Sequence, residues 1–235
     1  MTEEYDDFTM AYQDTCDQIV LLMIHGFPLD SAMWELQMQD LADVARVIAP
    51  DLRGHGRSDS VPGPYSMKLF SNDIAGLLDY LNISEPVVVC GLSMGGYIAL
   101  DFYRRYPERV AGLILTATRA GADSEEGKAG RDKAAATVEA EGIAPLIDSM
   151  LPKLMAPDSY EDDELVEFVK EIMEGTSTEG AIGALQAMRD RPDSTPMLSK
   201  IAVPTLIIHG ENDQIIPIGR GRRPFAQPGA ARRFQ

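Results

Sequence analysis

The chain is poor in cysteine, histidine and positive charge. It has two cysteines, Cys16 and Cys90, in 235 residues. Cys90 lies inside an apolar run and reads as a small buried hydrophobe rather than half of a disulfide, so a reducing cytoplasm is the expected setting. The N-terminus reads Met-Thr-Glu-Glu-Tyr-Asp-Asp, with neither a basic start nor an apolar core, and no signal peptide is expected. The nearest apolar run, residues 19–24, falls far short of the roughly 20 residues a membrane helix needs. Bases number 21 against 37 acids, a net charge of −16. Such a surface repels phosphate backbones and anionic lipid, which argues against nucleic-acid and membrane partners. No cofactor and no metal site is expected.

The chain is rich in short apolar runs. Residues 19–24, Ile-Val-Leu-Leu-Met-Ile, form a continuous run of the kind buried on both faces of a parallel sheet. Residues 44–49, 86–90, 110–115 and 203–208 repeat the pattern, and 8–14 suggests an antiparallel edge hairpin. Between them lie helical faces. Leu69, Phe70, Ile74, Leu77, Leu78 and Leu81 share one side of a helix over 67–81 with Ser66 at its N-cap, and a second helix runs over 94–106 until Pro107 stops it. Strands alternating with helices predict an α/β fold, a mostly parallel sheet covered on both faces. Residues 119–196 break that rhythm with helical faces only, around 146–154, 165–172 and 182–188, and read as a helical cap inserted into a core formed by 1–118 and 197–218.

The strongest chemical signal is Gly91-Leu92-Ser93-Met94-Gly95-Gly96, placed after a strand and before a helix. That context is the one a G-x-S-x-G nucleophile elbow requires. The turn must be so tight that Ser93 takes a strained backbone and Gly91 and Gly95 must lack side chains. It lifts the Ser93 hydroxyl out of the sheet and puts the Met94 N–H at a helix N-terminus, suited to a developing oxyanion. His25-Gly26-Phe27-Pro28 follows the first long strand, and a turn there can aim the Phe27 N–H at the same oxyanion. His25 reads as a brace for that turn, with Gly26 beside it.

These segments, with Asp51-Leu52-Arg53-Gly54-His55-Gly56-Arg57-Ser58, Tyr106-Pro107-Glu108-Arg109-Val110 and Pro204-Thr205-Leu206-Ile207-Ile208-His209-Gly210-Glu211-Asn212-Asp213, occur in one order from about residue 8 to 218. The chain resembles the α/β-hydrolases that include 3-oxoadipate enol-lactonases, small carboxylesterases, cofactor-free haloperoxidases and proline iminopeptidases. The resemblance implies that Asp213 is the acid of a catalytic triad with Ser93 as nucleophile, and that residues 51–58 brace the site. It implies hydrolysis of a small-molecule carboxylic ester or lactone through a Ser93 acyl-enzyme. A serine at the elbow argues against dehalogenase and epoxide-hydrolase chemistry, which use aspartate there.

The chain departs from the family in one respect. The triad order is Ser, Asp, His, yet no histidine follows His209, and His55 and His209 both fall inside structural motifs. Residues 219–235 hold five arginines, no acid and no apolar period. Either this tail is a shifted reading frame that replaces the last strand, helix and histidine, or the chain recruits a histidine from elsewhere. In the first case impaired turnover is expected, and loss of an edge strand would favour self-association. A non-catalytic small-molecule binding protein and a haloperoxidase-like perhydrolase are the alternative functions.

Overall fold

A computed structural model describes residues 8–14 and 19–217. Cys16 and the Arg-rich tail lie outside the described residues. Six strands form one sheet: β1 (Tyr12–Asp14), β2 (Val20–Ile24), β3 (Arg46–Pro50), β4 (Val87–Leu92), β5 (Val110–Thr116) and β6 (Thr205–Ile208). Their order is β1-β3-β2-β4-β5-β6, with every pairing parallel except β1 with β3. The five apolar runs of the sequence are thus five neighbouring parallel strands. The expected hairpin is a single edge strand instead. β1 pairs with β3 rather than with the next strand, and a bidentate ion pair from Arg46 to Asp14, at 2.8 and 2.6 Å, fastens it there.

Period-2 alternation explains why these strands are apolar throughout. Leu22 and Ile24 face a large core shared with α2 (Met67–Tyr80) and α3 (Met94–Arg105). Leu21 and Met23, with Val47, Ala49 and Cys90, face Trp34 and Met38 on the other side. Met38 belongs to α1 (Glu35–Leu41), a short helix that the sequence pattern does not reveal because Met38 is its one buried residue. Ser66 caps α2 as expected, its hydroxyl accepting from the Leu69 N–H.

Residues 117–204 carry four α-helices between β5 and β6: α4 (Glu125–Glu141), α5 (Ala144–Leu154), α6 (Asp163–Glu174) and α7 (Thr178–Arg189). Three match the apolar faces seen in the sequence. α4 does not, because it is alanine-rich and buries one side chain, Val138. The α6–α7 junction is tied to the sheet loops. Thr176 Oγ1 donates to the Pro28 carbonyl at 3.0 Å, and the Ser177 amide and hydroxyl both reach the Gly54 carbonyl. Gly54, at φ +75°, lies against the backbone of Gly180 in the first turn of α7, leaving no room for a Cβ on either residue. No helix among the described residues is long and apolar enough to cross a membrane. Leu206, Ile208 and Ile215, on β6 and the loop after it, are exposed.

A buried ion pair joins the 51–58 loop to α2. Arg53 meets Asp73 through two hydrogen bonds of 2.7 and 2.6 Å, and its guanidinium lies over the rings of Phe8 and Tyr65. Both side chains are almost wholly removed from water. Removing one partner of such a pair strands a buried charge and costs about 3–5 kcal/mol, whereas an apolar replacement of both costs far less. Asp73→Asn is therefore expected to lower stability by about 3 kcal/mol in urea unfolding, with Arg53→Met/Asp73→Leu closer to the parent than either single change.

Candidate active site at the switch point of the sheet

The chain leaves the sheet's centre in opposite directions after β2 and β4, and these two neighbouring strands end side by side. Ligand sites of open α/β sheets lie at such a switch point, beyond the carboxyl ends of the strands. β2 delivers His25, Gly26 and Phe27 there, and β4 delivers Ser93.

Ser93 has φ 51° and ψ −107°, a backbone conformation rarely adopted by a residue with a side chain. Its surroundings hold it in place. Its N–H donates to the Thr116 carbonyl at 2.9 Å, and its carbonyl accepts from Gly96 N, Tyr97 N and Thr118 Oγ1. The glycines around it are sterically required. A Cβ on Gly91 would meet the Gly95 carbonyl, one on Gly95 would meet the Ile24 and His25 carbonyls, and one on Gly96 would strike Thr118. α3 therefore seats backbone to backbone on the end of β2. Ser93 remains half-buried at its N-terminus, while Met94 is fully buried.

Gly26 closes the other side. A Cβ there would lie 2.8 Å from Leu92 Cδ2 and 3.6 Å from Ser93 Cβ, so the His25-Gly26-Phe27 turn packs directly on the serine. Among the described residues, the Phe27 and Met94 amides donate no hydrogen bond. The turn is fixed by His25, which is fully buried. Its Nε2 accepts from the Leu52 N–H at 2.9 Å, so its proton sits on Nδ1, which donates to the Gly26 carbonyl at 2.9 Å. His55 lies 5.1 Å away, ring to ring, with Nδ1 donating to the Arg53 carbonyl and Nε2 unpartnered among the described residues. Asp51 completes the brace, accepting from the amides of Ser31 and Arg57.

Comparison with known proteins identifies the family. A family model described as the alpha/beta hydrolase fold matches residues 19–232. The chain belongs to the α/β-hydrolase family. It is 29% identical over 207 residues to 3-oxoadipate enol-lactonase 2 of Acinetobacter baylyi, covering 88% of this chain and 76% of that one. It is 31% identical over 223 residues to a bifunctional esterase/perhydrolase of Acinetobacter calcoaceticus, covering 86% and 76%. A thermophilic esterase of Thermogutta terrifontis, solved with malate bound, superposes with a TM-score of 0.87 at 40% identity, covering 89% of this hydrolase and 78% of that chain.

Asp213 lies in the loop after β6, two strands across from Ser93, since Leu92, Thr116 and Ile208 form one lateral row. Its Oδ1 accepts from the Ile215 and Ile216 amides at 2.8 Å each. Its Oδ2 is 3.3 Å from His209 Nε2, which also lies 2.7 Å from the Ile216 carbonyl. The structure thus packs Gly26 on Ser93, with Phe27 and Met94 the next residues of their chains, and sets Asp213 along the same edge of the sheet. Two features are not evident from sequence: the His209–Asp213 pair and the Thr118 hydroxyl that holds the Ser93 carbonyl. A threonine after a strand carries no motif that would have singled it out.

Burial holds both inner histidines neutral. It lowers the pKa of His25 to about 4, and that of His55 to about 3, where His25 adds to the effect. The unfolded chain takes up these protons near pH 6.5 and the folded chain only near 3–4, so stability is fully present above about pH 6.5 and falls as pH drops through this window. Urea unfolding between pH 7 and 4.5 is expected to lose about 1 kcal/mol per pH unit for each histidine. His55→Gln should flatten the slope.

Proposed function

We propose that this chain is a serine hydrolase that cleaves a carboxylic ester or lactone through an acyl-enzyme on Ser93. The observation that carries the reading is the Ser93 backbone, held at positive φ beside the Gly26–Phe27 turn. Nothing in ordinary strand-to-helix packing calls for that strain. The Ser93 hydroxyl attacks the acyl carbonyl, and the amides of Phe27 and Met94 receive the negative charge that develops on its oxygen. One such donor is typically worth about 3 kcal/mol to the transition state. Collapse of the tetrahedral intermediate expels the alcohol, and water then releases the acid. Asp213, in the loop after β6 with Oδ1 held by the Ile215 and Ile216 amides, is the triad acid.

In this reading the proton acceptor is weak. Of the three imidazoles in the 235 residues, His25 and His55 are sealed from solvent, and His209 has its Nε2 on the Ile216 carbonyl. Loss of the base from a triad costs roughly 10⁴–10⁶ in turnover and slows both acylation and deacylation. An activated ester whose leaving group needs no proton suits such a site. Incubation with p-nitrophenyl acetate is expected to leave a lasting acetyl adduct on the peptide containing Ser93, read by mass spectrometry, with slow release of p-nitrophenol. Ser93→Ala should carry no adduct. Equal release rates and no adduct in either protein would dismiss the reading in favour of a binding role. The same acyl-enzyme yields a peracid when hydrogen peroxide replaces water, and the bifunctional esterase/perhydrolase relative makes that second reaction worth assaying.

A further inference from the structure

The substrate's charge can be read from what surrounds Ser93. Leu92, its neighbour in the chain, and Leu29, two residues past Phe27, both pack on an apolar cluster built from α5 and α6, with Ile147, Leu151, Ile172 and the half-buried Met150 among its members. The Thr176–Pro28 bond anchors the end of α6 to the Phe27 loop, so this cluster forms one wall beside the serine. Its members present aliphatic and thioether surface. The segment that supplies it is strongly acidic. Residues 144–174 hold nine acids and two lysines. One of those, Lys153, is exposed, and the other, Lys170, faces Glu174 at 3.8 Å. Glu164, Glu167 and Glu171 are exposed on α6.

An ionised carboxylate entering this site meets two penalties. It loses water against aliphatic and thioether surface, which cannot replace its hydration, and it approaches through a field of its own sign. An aliphatic chain of the same length meets neither. Resting on the Ser93 reading above, we propose that the site selects neutral esters or lactones with an aliphatic acyl group, and rejects substrates that carry a free carboxylate.

The test compares p-nitrophenyl hexanoate with the mono-p-nitrophenyl ester of adipic acid, which share chain length and leaving group and differ by a terminal carboxylate. Binding is measured on Ser93→Ala, so that no turnover is needed and a failure here is separate from the adduct experiment, which tests Ser93 itself. The neutral ester is expected to bind at least about ten-fold tighter at low ionic strength, with the ratio shrinking as salt screens the acids. Met150→Lys places a cation in the wall and should bring the ratio toward one. Glu164→Lys/Glu167→Lys/Glu171→Lys alters only exposed positions and should strengthen binding of the anionic ester at low salt. Equal or tighter binding of the adipate ester by Ser93→Ala overturns the proposal. So does an unchanged ratio in the triple variant.

Discussion

The close seating of α3 on β2 governs the geometry of this hydrolase. Gly95 allows the helix backbone to touch the carbonyls of Ile24 and His25, and Gly91 allows the strand before it to fold back on the helix. With those contacts in place, the residue between strand and helix has one backbone course open to it, and Ser93 takes it. The strain is local, and the surroundings over-determine it. Four hydrogen bonds to the Ser93 peptide groups, involving β5, α3 and the loop after β5, hold the turn. A side chain at Gly95 would force helix and strand apart and relax the turn with them.

A second layer supports the first. His25 links the turn to the 51–58 loop through the Leu52 amide, Asp51 links the same loop to Ser31, and Arg53 links it to α2 through Asp73. Each is a buried polar group whose partner is also buried, an arrangement that rigidifies when complete and costs stability when broken. The two imidazoles act here as neutral hydrogen-bonding wedges. A single added proton on His55 would be a fully buried charge beside the His25 ring.

Much of this was legible in the sequence, for physical reasons that differ by element. β2 to β5 announce themselves because both faces are largely buried and alternation disappears, and β6 is read by its apolar run although Leu206 and Ile208 are exposed. The elbow announces itself because its glycines are a steric necessity and cannot vary with context. α1 and α4 stay hidden because they bury one side chain each, too little to leave a period. The partner of β1 is hidden for another reason. Pairing with β3 is a non-local choice, made by an Arg46–Asp14 contact across 32 positions of chain. The proximity of His209 to Asp213 follows from a loop closing on itself, and residue spacing alone does not show which atoms meet. At the level of chemistry, the sequence and the family agree on a hydrolase.

The glycine-to-glycine contact of Gly54 with Gly180 has a consequence for how this protein could be re-engineered. Because α7 is bolted to the same loop that braces His25, it belongs mechanically to the sheet and its length and pitch are not free. α5 and α6 meet the sheet loops through apolar side chains instead, Leu29 and Leu92 among their partners. The stretch from Gly142 to Gly175 is therefore the segment whose length and charge can be varied, so long as a replacement keeps apolar partners for those two leucines.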